Sequence, residues 1–278
     1  MGAADGFPVL YMHGAIGSPL RVSDDLAETI ERRRLRWICV QRPGFGRSDR
    51  HTRRTMVSFA ADVRELSRQL EFERVAILGV SAGGPYALAC GYAAPDLVGA
   101  VAVCSSLSPV CAQWEVPQLA FHLKHGMRLL GRHPRACTHL LDRMIAVARA
   151  HPDWLLAVMR RGAPAPKDRE LIEDPEAGNT AINGLLAAAG GGVAGLVEDF
   201  LVCSQGWGFP LDGVHVPVHL WHGLQDKLVP AEHAWQLVSS LPNCRPAFDP
   251  DEGHFFFRRR VNEIVTRLVD AARPAFSR

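Results

Sequence analysis

Short, almost uninterrupted apolar runs alternate with longer amphipathic stretches over the first 106 residues, and again after residue 216. The apolar runs of the first region are Pro8–Met12, Trp37–Val40, Arg74–Leu78 and Leu97–Cys104. Runs of this length are typical of strands that are buried on both faces of a parallel sheet. Because amphipathic stretches separate them, the pattern predicts alternating strands and helices, which is an α/β architecture with a mostly parallel sheet.

The amphipathic stretches predict helices at Leu20–Leu35 and Phe59–Leu70, and a third helix that begins at Ala82. Ser58 is the expected N-cap of the second helix, because a serine hydroxyl can accept a hydrogen bond from a first-turn N–H.

The alternation stops between residues 107 and 216, where no strand-like run remains. Helical patterns separated by Pro and Gly fill this region, at Val116–Leu130, Ala136–Ala150, Trp154–Arg161, Asp168–Ile172 and Val193–Val202. Beyond it we predict, in order, a strand, a helix, a short strand and a terminal helix, at Val216–Trp221, Ala231–Leu241, Arg245–Phe248 and Phe256–Ala272. The sequence therefore predicts a core of residues 1–106 and 217–278, with residues 107–216 inserted as a helical cap.

Composition narrows the classes of partner. The 278 residues carry a net charge of +2, with 47% hydrophobic and 22% charged residues, which gives no argument for a nucleic acid or an anionic membrane surface. No apolar run is long enough to span a bilayer, and the first residues lack the features of a signal peptide. The seven cysteines are scattered without a C-x-x-C pair, as is typical of a reducing compartment. We expect a cytoplasmic protein that binds neither nucleic acid nor membrane.

The segment Gly79–Gly83 stands where the third strand meets the next helix. Its sequence, Gly-Val-Ser-Ala-Gly, fits a nucleophile elbow, in which a serine occupies a strained turn and exposes its hydroxyl. Gly79 and Gly83 support this turn because side chains there would collide with the neighbouring backbone. A plain glycine-rich connection is the alternative, and residues further along the chain argue against it.

Three other distinctive segments follow strand ends: His13-Gly14-Ala15, Asp226 and His254. Active sites of open parallel sheets lie at the carboxyl ends of the strands. A serine nucleophile needs a base within hydrogen-bond reach, and the base needs a group that orients it. We predict Ser81 as nucleophile, His254 as base and Asp226 as its orienting acid, an order along the chain that is known for this chemistry.

Five segments resemble the α/β-hydrolase fold family, in particular its capped, esterase-like branch. They are Tyr11–Gly14, Arg42–Asp49, Gly79–Ala89, Leu220–Asp226 and Glu252–Phe255. The resemblance implies the same Ser–Asp–His triad, an oxyanion hole formed by the backbone N–H groups of Ala15 and Ala82, and a lid formed by the insertion. It implies a carboxylesterase-like hydrolase that cleaves an ester of a hydrophobic small molecule through an acyl-enzyme, without a metal or organic cofactor.

Neighbouring residues are assigned structural tasks. We expect His13 and Gly14 to shape the oxyanion turn, His222 to shape the loop that presents Asp226, and Arg42 to hold its own glycine-rich loop. Some of the large apolar residues of the insertion should line a substrate pocket; the candidates are Trp114, Phe121, Met127, Met144, Trp154, Met159 and Trp207.

Several activities remain open on the same three residues. A serine nucleophile excludes the relatives that attack epoxides or haloalkanes with an aspartate. A C–C bond hydrolase, an aminopeptidase and a ligand-binding receptor that retains the triad are the alternatives. Glu198 and Asp199 could hold the free amine of a peptide, although a solvated helix face is the simpler interpretation of this pair.

The chain also departs from the family pattern at its start. The family usually begins with an antiparallel strand pair, and this chain starts just before the strand at Pro8–Met12. Trp37–Val40 is then expected to be an open sheet edge. We hypothesise either a homodimer through that edge or a start shorter than that of the working protein.

Overall fold

Six parallel strands form one sheet in the computed structural model, which describes residues 1–15, 22–109, 121–162 and 165–273. The strands are β1 (Phe7–Met12), β2 (Leu35–Val40), β3 (Val75–Val80), β4 (Val98–Cys104), β5 (Val218–Gly223) and β6 (Cys244–Asp249). Their spatial order is β2-β1-β3-β4-β5-β6, which confirms the predicted α/β architecture. The chain runs outward from β1 to β2 and then returns to β3 on the other side of β1. Ligands of open parallel sheets bind at such a reversal.

Helices cover both faces of the sheet, because successive side chains of each strand point to opposite faces. On one face lie α2 (Met56–Gln69), α3 (Gly83–Ala93) and α10 (Ala231–Ser240), whose apolar residues share one core layer with Leu10 and Met12 of β1. On the other face lie α1 (Asp24–Arg32) and α11 (Phe257–Ala272), whose apolar residues share the second core layer with Val9 and Tyr11. The hydrophobic core therefore has two layers, one on each side of the sheet.

A helical insertion separates β4 from β5. It consists of α4 (Phe121–Arg132), α5 (Pro134–Ala150), α6 (Pro152–Gly162), α7 (Pro166–Glu173), α8 (Pro175–Ala188) and α9 (Ala194–Ser204). Four of these helices, α5 to α8, begin with proline, whose fixed φ suits the first helical position. Whether residues 107–216 form a separate cap stays a prediction.

Two local predictions were wrong. Helix α8 was not predicted, because Gly178 and Gly184 lower the helical propensity of its sequence. Asp174 caps it by accepting a hydrogen bond from the N–H of Ala177 at 2.8 Å. The N-cap of α2 is Thr55 instead of Ser58; the two side chains form a reciprocal capping box, so Ser58 lies inside the first turn.

The first residues of the chain cover part of the outer edge of β2. The N–H of Trp37 donates to the carbonyl of Met1 at 2.8 Å, and the amino group of Met1 donates to the carbonyl of Trp37 at 3.0 Å. Gly2 forms an antiparallel bridge with Arg36. The prediction of an open edge is therefore wrong at Trp37. The homodimer stays a prediction, which light scattering in solution would test.

No helix in the described part of the chain is both long and apolar enough to cross a membrane.

Candidate active site

The turn between β3 and α3 holds Ser81 in a conformation that side chains rarely adopt. Its φ is +52°, in the left-handed region, and its N–H donates to the carbonyl of Cys104 at the end of β4 at 2.8 Å. A Cβ on Gly79 would lie 2.6 Å from the carbonyl oxygen of Gly83. A Cβ on Gly83 would lie 2.6 Å from the carbonyl oxygen of His13. Neither position has room for a side chain, so the two glycines permit the turn.

The loop after β1 lies against this turn. A Cβ on Gly14 would be 3.4 Å from the Cβ of Ser81 and 3.9 Å from its Oγ, which is ordinary contact distance. Ala15 follows Gly14 directly, and Ala82, the other predicted oxyanion residue, is the residue after Ser81 and the N-cap of α3. Of the two predicted oxyanion residues, Ala82 lies in the same turn as Ser81, and Ala15 follows the glycine that lies against it.

His13 has a structural position below this loop. Its Nδ1 lies 2.8 Å from the carbonyl oxygen of Gly14, and its Nε2 accepts from the N–H of Arg42 at 3.4 Å. Burial, together with the charge of Arg42, lowers the pKa of His13 to about 3. A neutral ring that donates from Nδ1 satisfies both contacts. His13 therefore shapes the loop that carries Gly14 and Ala15.

Asp226, after β5, and His254, after β6, form a buried pair. Nδ1 of His254 lies 2.7 Å from Oδ2 of Asp226. The other carboxylate oxygen, Oδ1, accepts from the N–H groups of Leu228 and Val229 at 2.9 and 2.8 Å. These contacts fix the carboxylate and leave Nε2 of the imidazole as the nitrogen that can accept a proton.

The surroundings of His254 favour its charged form. Burial alone would lower the pKa of His254, but the charge of Asp226, its hydrogen bond and the charge of Asp168 raise the pKa above its usual value. A carboxylate that stabilises an imidazolium is the electrostatic arrangement that a general base requires.

His222 lies behind the pair. Its Nε2 donates to the carbonyl of Val229 at 2.9 Å and is 3.7 Å from Oδ2 of Asp226. Burial lowers the pKa of His222. A neutral His222 therefore braces the turn that presents Asp226.

Ser105 connects the His254 loop to the sheet. It follows β4, the strand next to β3, and its Oγ donates to the carbonyl of His254 at 2.9 Å. The loop of His254 is thereby brought to the strand ends beside the Ser81 turn. Among the described residues no hydrogen bond joins Ser81 to the His254 ring. Catalytic hydrogen bonds are often long without substrate and tighten when it binds.

Arg42 does more than hold its own loop, which corrects the sequence interpretation. Its guanidinium donates to the carbonyls of His13 and Gly14, and it makes a two-pronged contact with Asp199 of α9, at 3.1 and 2.8 Å. Arg54 and the hydroxyl of Tyr86 also donate to Asp199, at 3.1 and 2.8 Å. Arg42 therefore links α9 of the insertion to the loop of His13 and Gly14.

The opposite charges of the two arginines and of Asp199 keep all three side chains ionised. Burial would raise the pKa of Asp199, but Arg42 and Arg54 hold it below the usual range. Burial likewise opposes the charge on Arg42, and Asp199 outweighs it, so the pKa of Arg42 is raised. Asp199 was expected on a solvated helix face and is instead fully buried.

A second buried carboxylate of the insertion, Asp168 of α7, was also missed as a functional candidate. Oδ2 accepts from the N–H of His254 at 2.8 Å, and Oδ1 accepts from the N–H of Phe255 at 2.9 Å. A Cβ on Gly253 would lie 2.5 Å from Oδ1, so the loop passes close to this carboxylate. In the sequence, Asp168 stands at the start of a short helical pattern, where an acidic residue is ordinary.

A serine–histidine contact elsewhere has no access to a substrate. Oγ of Ser108 lies 2.9 Å from Nδ1 of His233, but both residues are fully buried. Burial lowers the pKa of His233 to about 4. This pair joins the start of the inserted segment to α10.

The predicted pocket residues are only partly described. Trp114 and the side chains of Phe121 and Met127 lie outside the described residues. Trp207 is buried in one of the core layers beside the sheet, while Met144 and Trp154 are exposed. The prediction that the substrate is hydrophobic therefore depends on the sequence alone. Among the described residues, no group of His, Cys, Asp and Glu is arranged to hold a metal ion.

The chain belongs to the alpha/beta hydrolase fold family, whose model matches residues 8–258. The similar solved structures include an esterase from Exiguobacterium antarcticum, with 18% identity, a TM-score of 0.67 and coverage of 97% of this chain and 93% of that chain. A bromoperoxidase from Bacillus anthracis has 20% identity, a TM-score of 0.69 and coverage of 97% and 94%. A malate-bound thermophilic esterase from Thermogutta terrifontis has 20% identity, a TM-score of 0.66 and coverage of 98% and 93%.

At these identities the likeness to each solved structure is a likeness of fold. No curated protein matches the chain. Membership of the family supports a hydrolase enzyme.

Proposed function

We propose that the protein is a serine hydrolase of the carboxylesterase type, which cleaves an ester of a hydrophobic small molecule through an acyl-enzyme. The hydrogen bond between His254 Nδ1 and Asp226 Oδ2 carries the proposal, because it leaves Nε2 of a buried, oriented imidazole to act as base. The strained turn at Ser81 and the close approach of Gly14 support it. So does the family, together with the esterases among the similar structures.

In the first half-reaction the Oγ of Ser81 attacks the carbonyl carbon of the ester, while its proton passes to Nε2 of His254. The electron pair of the C=O bond moves to oxygen, and the N–H groups of Ala15 and Ala82 stabilise the resulting charge. The tetrahedral intermediate collapses and breaks the bond to the alcohol oxygen, which takes the proton from His254. Asp226 stabilises the imidazolium throughout.

In the second half-reaction a water molecule attacks the acyl carbon and gives its proton to His254. The second intermediate breaks its bond to Oγ of Ser81, which recovers the proton from His254. The carboxylic acid then leaves, and the enzyme returns to its starting state.

The aminopeptidase alternative finds less support. It needs a carboxylate that is open to the amine of a peptide. Glu198 forms an ion pair with Arg50, and Asp199 is enclosed by Arg42, Arg54 and Tyr86. A cytoplasmic location stays a prediction from the sequence.

The proposal is tested by burst kinetics with p-nitrophenyl esters of increasing acyl length. We expect a burst of one equivalent followed by turnover, and a fluorophosphonate adduct on Ser81 in the mass spectrum. Ser81→Ala should abolish both. Ser239→Ala is the matched control, since this exposed serine of α10 donates only to the carbonyl of Gln236 and should leave both intact.

Binding of ester without turnover would favour a receptor. Hydrolysis that persists in Ser81→Ala would overturn the assignment of the nucleophile. The acyl length with the highest kcat/KM would define the size of the substrate pocket.

A further inference from the structure

The carboxylate of Asp168 contacts a loop outside its own helix, the loop that carries His254. Asp168 lies in the first turn of α7, is fully buried, and directs both carboxylate oxygens to the backbone of the His254 loop. Two consecutive N–H groups, those of His254 and Phe255, each have one oxygen as acceptor. Glycine at position 253 makes this approach possible, because a Cβ there would collide with the carboxylate.

His254 is therefore held from three elements. The carboxylate of Asp168 holds its N–H, the hydroxyl of Ser105 holds its C=O, and the carboxylate of Asp226 holds Nδ1 of its ring. Every polar atom of the residue except Nε2 has a fixed partner. A base must be placed to within a fraction of an ångström of its proton donor, since a misplacement of about 1 Å can cost about a hundredfold in rate.

We propose that Asp168 is a positioning residue, through which the helical insertion sets the position of His254 and places a carboxylate beside it. The inference rests on the proposed function, in which His254 is the base. It assigns the insertion a task in the chemical step, in addition to any task in covering the substrate.

The charged and titratable groups that face His254 and Asp168 come from several elements. His254 is faced by Asp168 of α7, by Asp226 after β5 and by His222 of β5. Asp168 is faced by His254 and Asp226. Burial raises the pKa of Asp168 above its usual value, although the two N–H donors oppose this rise because they bind the charged form. An ionised Asp168 adds a second negative charge beside the imidazole.

The test compares Asp168→Asn with the wild-type enzyme. Asparagine has the same shape, but it removes the charge and turns one of the two acceptor oxygens into a donor. We expect kcat to fall by about tenfold to a hundredfold with KM changed less than about threefold. The acid limb of the pH profile of kcat/KM should move to lower pH. The pKa of His254 measured by NMR should fall in the same direction.

Asp174→Asn is the matched control. Asp174 is also an insertion aspartate that accepts a backbone N–H, but it caps α8 and does not contact the His254 loop. It should leave kcat and the acid limb where they are. Unchanged kcat and an unchanged His254 pKa in Asp168→Asn would overturn the inference, as would an equal effect in the control.

If Asp168→Asn does not fold, Asp168→Glu takes its place. Glutamate keeps the charge and displaces it by one methylene, so kcat should fall while the acid limb stays close to that of the wild type. Wild-type kcat in Asp168→Glu would overturn the positioning role. Failure of the proposed function has a different signature, because the wild type would then neither hydrolyse esters nor label at Ser81. The NMR titration of His254 still tests Asp168 in that case.

Discussion

The carboxylate of Asp199 contacts the guanidinium of Arg42 at a place where neither side chain reaches solvent. The same guanidinium donates to the carbonyls of His13 and Gly14, in the loop beside Ser81. A buried charge pair is costly to build and still more costly to break from one side, because the remaining charge has no partner. The insertion and the loop of His13 and Gly14 are thus linked by an interaction that tolerates little change.

Asp199→Asn should lower the free energy of unfolding by about 3–5 kcal/mol, since it leaves the buried charge of Arg42 uncompensated. It should also lower kcat, because Arg42 no longer has a fixed position against the loop of Gly14. Chemical denaturation and ester hydrolysis measure the two effects. Asp96→Asn is the control: the exposed Asp96 pairs with the half-exposed Arg64, and the loss of this pair should cost less than about 1 kcal/mol. Equal losses in both variants would contradict this account.

Gly83→Ala should destabilise the fold and abolish the activity. A Cβ at this position would collide with the carbonyl oxygens of Met12 and His13, so β1 and the turn of Ser81 must separate. Gly126→Ala, in the middle of α4, is the control because a Cβ there has open space around it. In a helix interior this change should stabilise by about 0.5–1 kcal/mol. Thermal unfolding of both variants measures the difference; a Gly83→Ala variant with wild-type stability and activity would show that the turn has more room.

The sequence predicted the parts of the candidate site that depend on local pattern. Ser81 is marked by its flanking glycines and by the change from strand to helix. His254 and Asp226 are marked by their places after strands, because parallel strands bring their carboxyl ends to one edge.

The sequence did not predict the roles of Asp168 and Asp199, for a physical reason. An acidic residue in an amphipathic helix usually faces water, and its burial depends on which element packs against it. That information lies in contacts between segments, here 86 positions apart for Asp168 and His254 and 157 positions apart for Asp199 and Arg42. Helix α8 was missed for a local reason, since its glycines have low helical propensity and the helix is stabilised by tertiary packing.

The stability of the protein should fall as the pH drops below about 6.5, the usual pKa of histidine in an unfolded chain. Burial lowers the pKa of His233 to about 4, and that of His13 to about 3. Between pH 6.5 and about 4 the unfolded chain binds protons at these residues and the folded chain does not. Each residue therefore costs about 1.4 kcal/mol per pH unit in this range and nothing above it.

His233→Asn tests this dependence at one residue. The asparagine oxygen can take the place of Nδ1 as acceptor for the N–H of Ser108, and it does not titrate. The free energy of unfolding should be measured at pH 7 and at pH 5.5. The loss between these two pH values should be about 1.4 kcal/mol smaller in the variant than in the wild type. A difference equal to that of the wild type would mean that His233 is protonated in the folded protein.

Asp226→Asn should reverse the tautomer of His254. The N–H groups of Leu228 and Val229 both donate to Oδ1, so the asparagine must place its oxygen there and its NH₂ group where Oδ2 faces His254. The NH₂ group is a donor, which forces Nδ1 to accept and moves the ring proton to Nε2. A protonated Nε2 cannot take the proton of Ser81.

We therefore expect kcat to fall on the order of 10⁴-fold in Asp226→Asn, with the fold intact and KM little changed. Asp249→Asn is the control, because this aspartate on β6 pairs with the half-exposed Arg260. It should retain nearly full activity. Nitrogen chemical shifts of the His254 ring report the tautomer directly. An Nδ1-protonated ring in an inactive Asp226→Asn would show that the loss comes from charge alone, and an active variant would remove Asp226 from the mechanism.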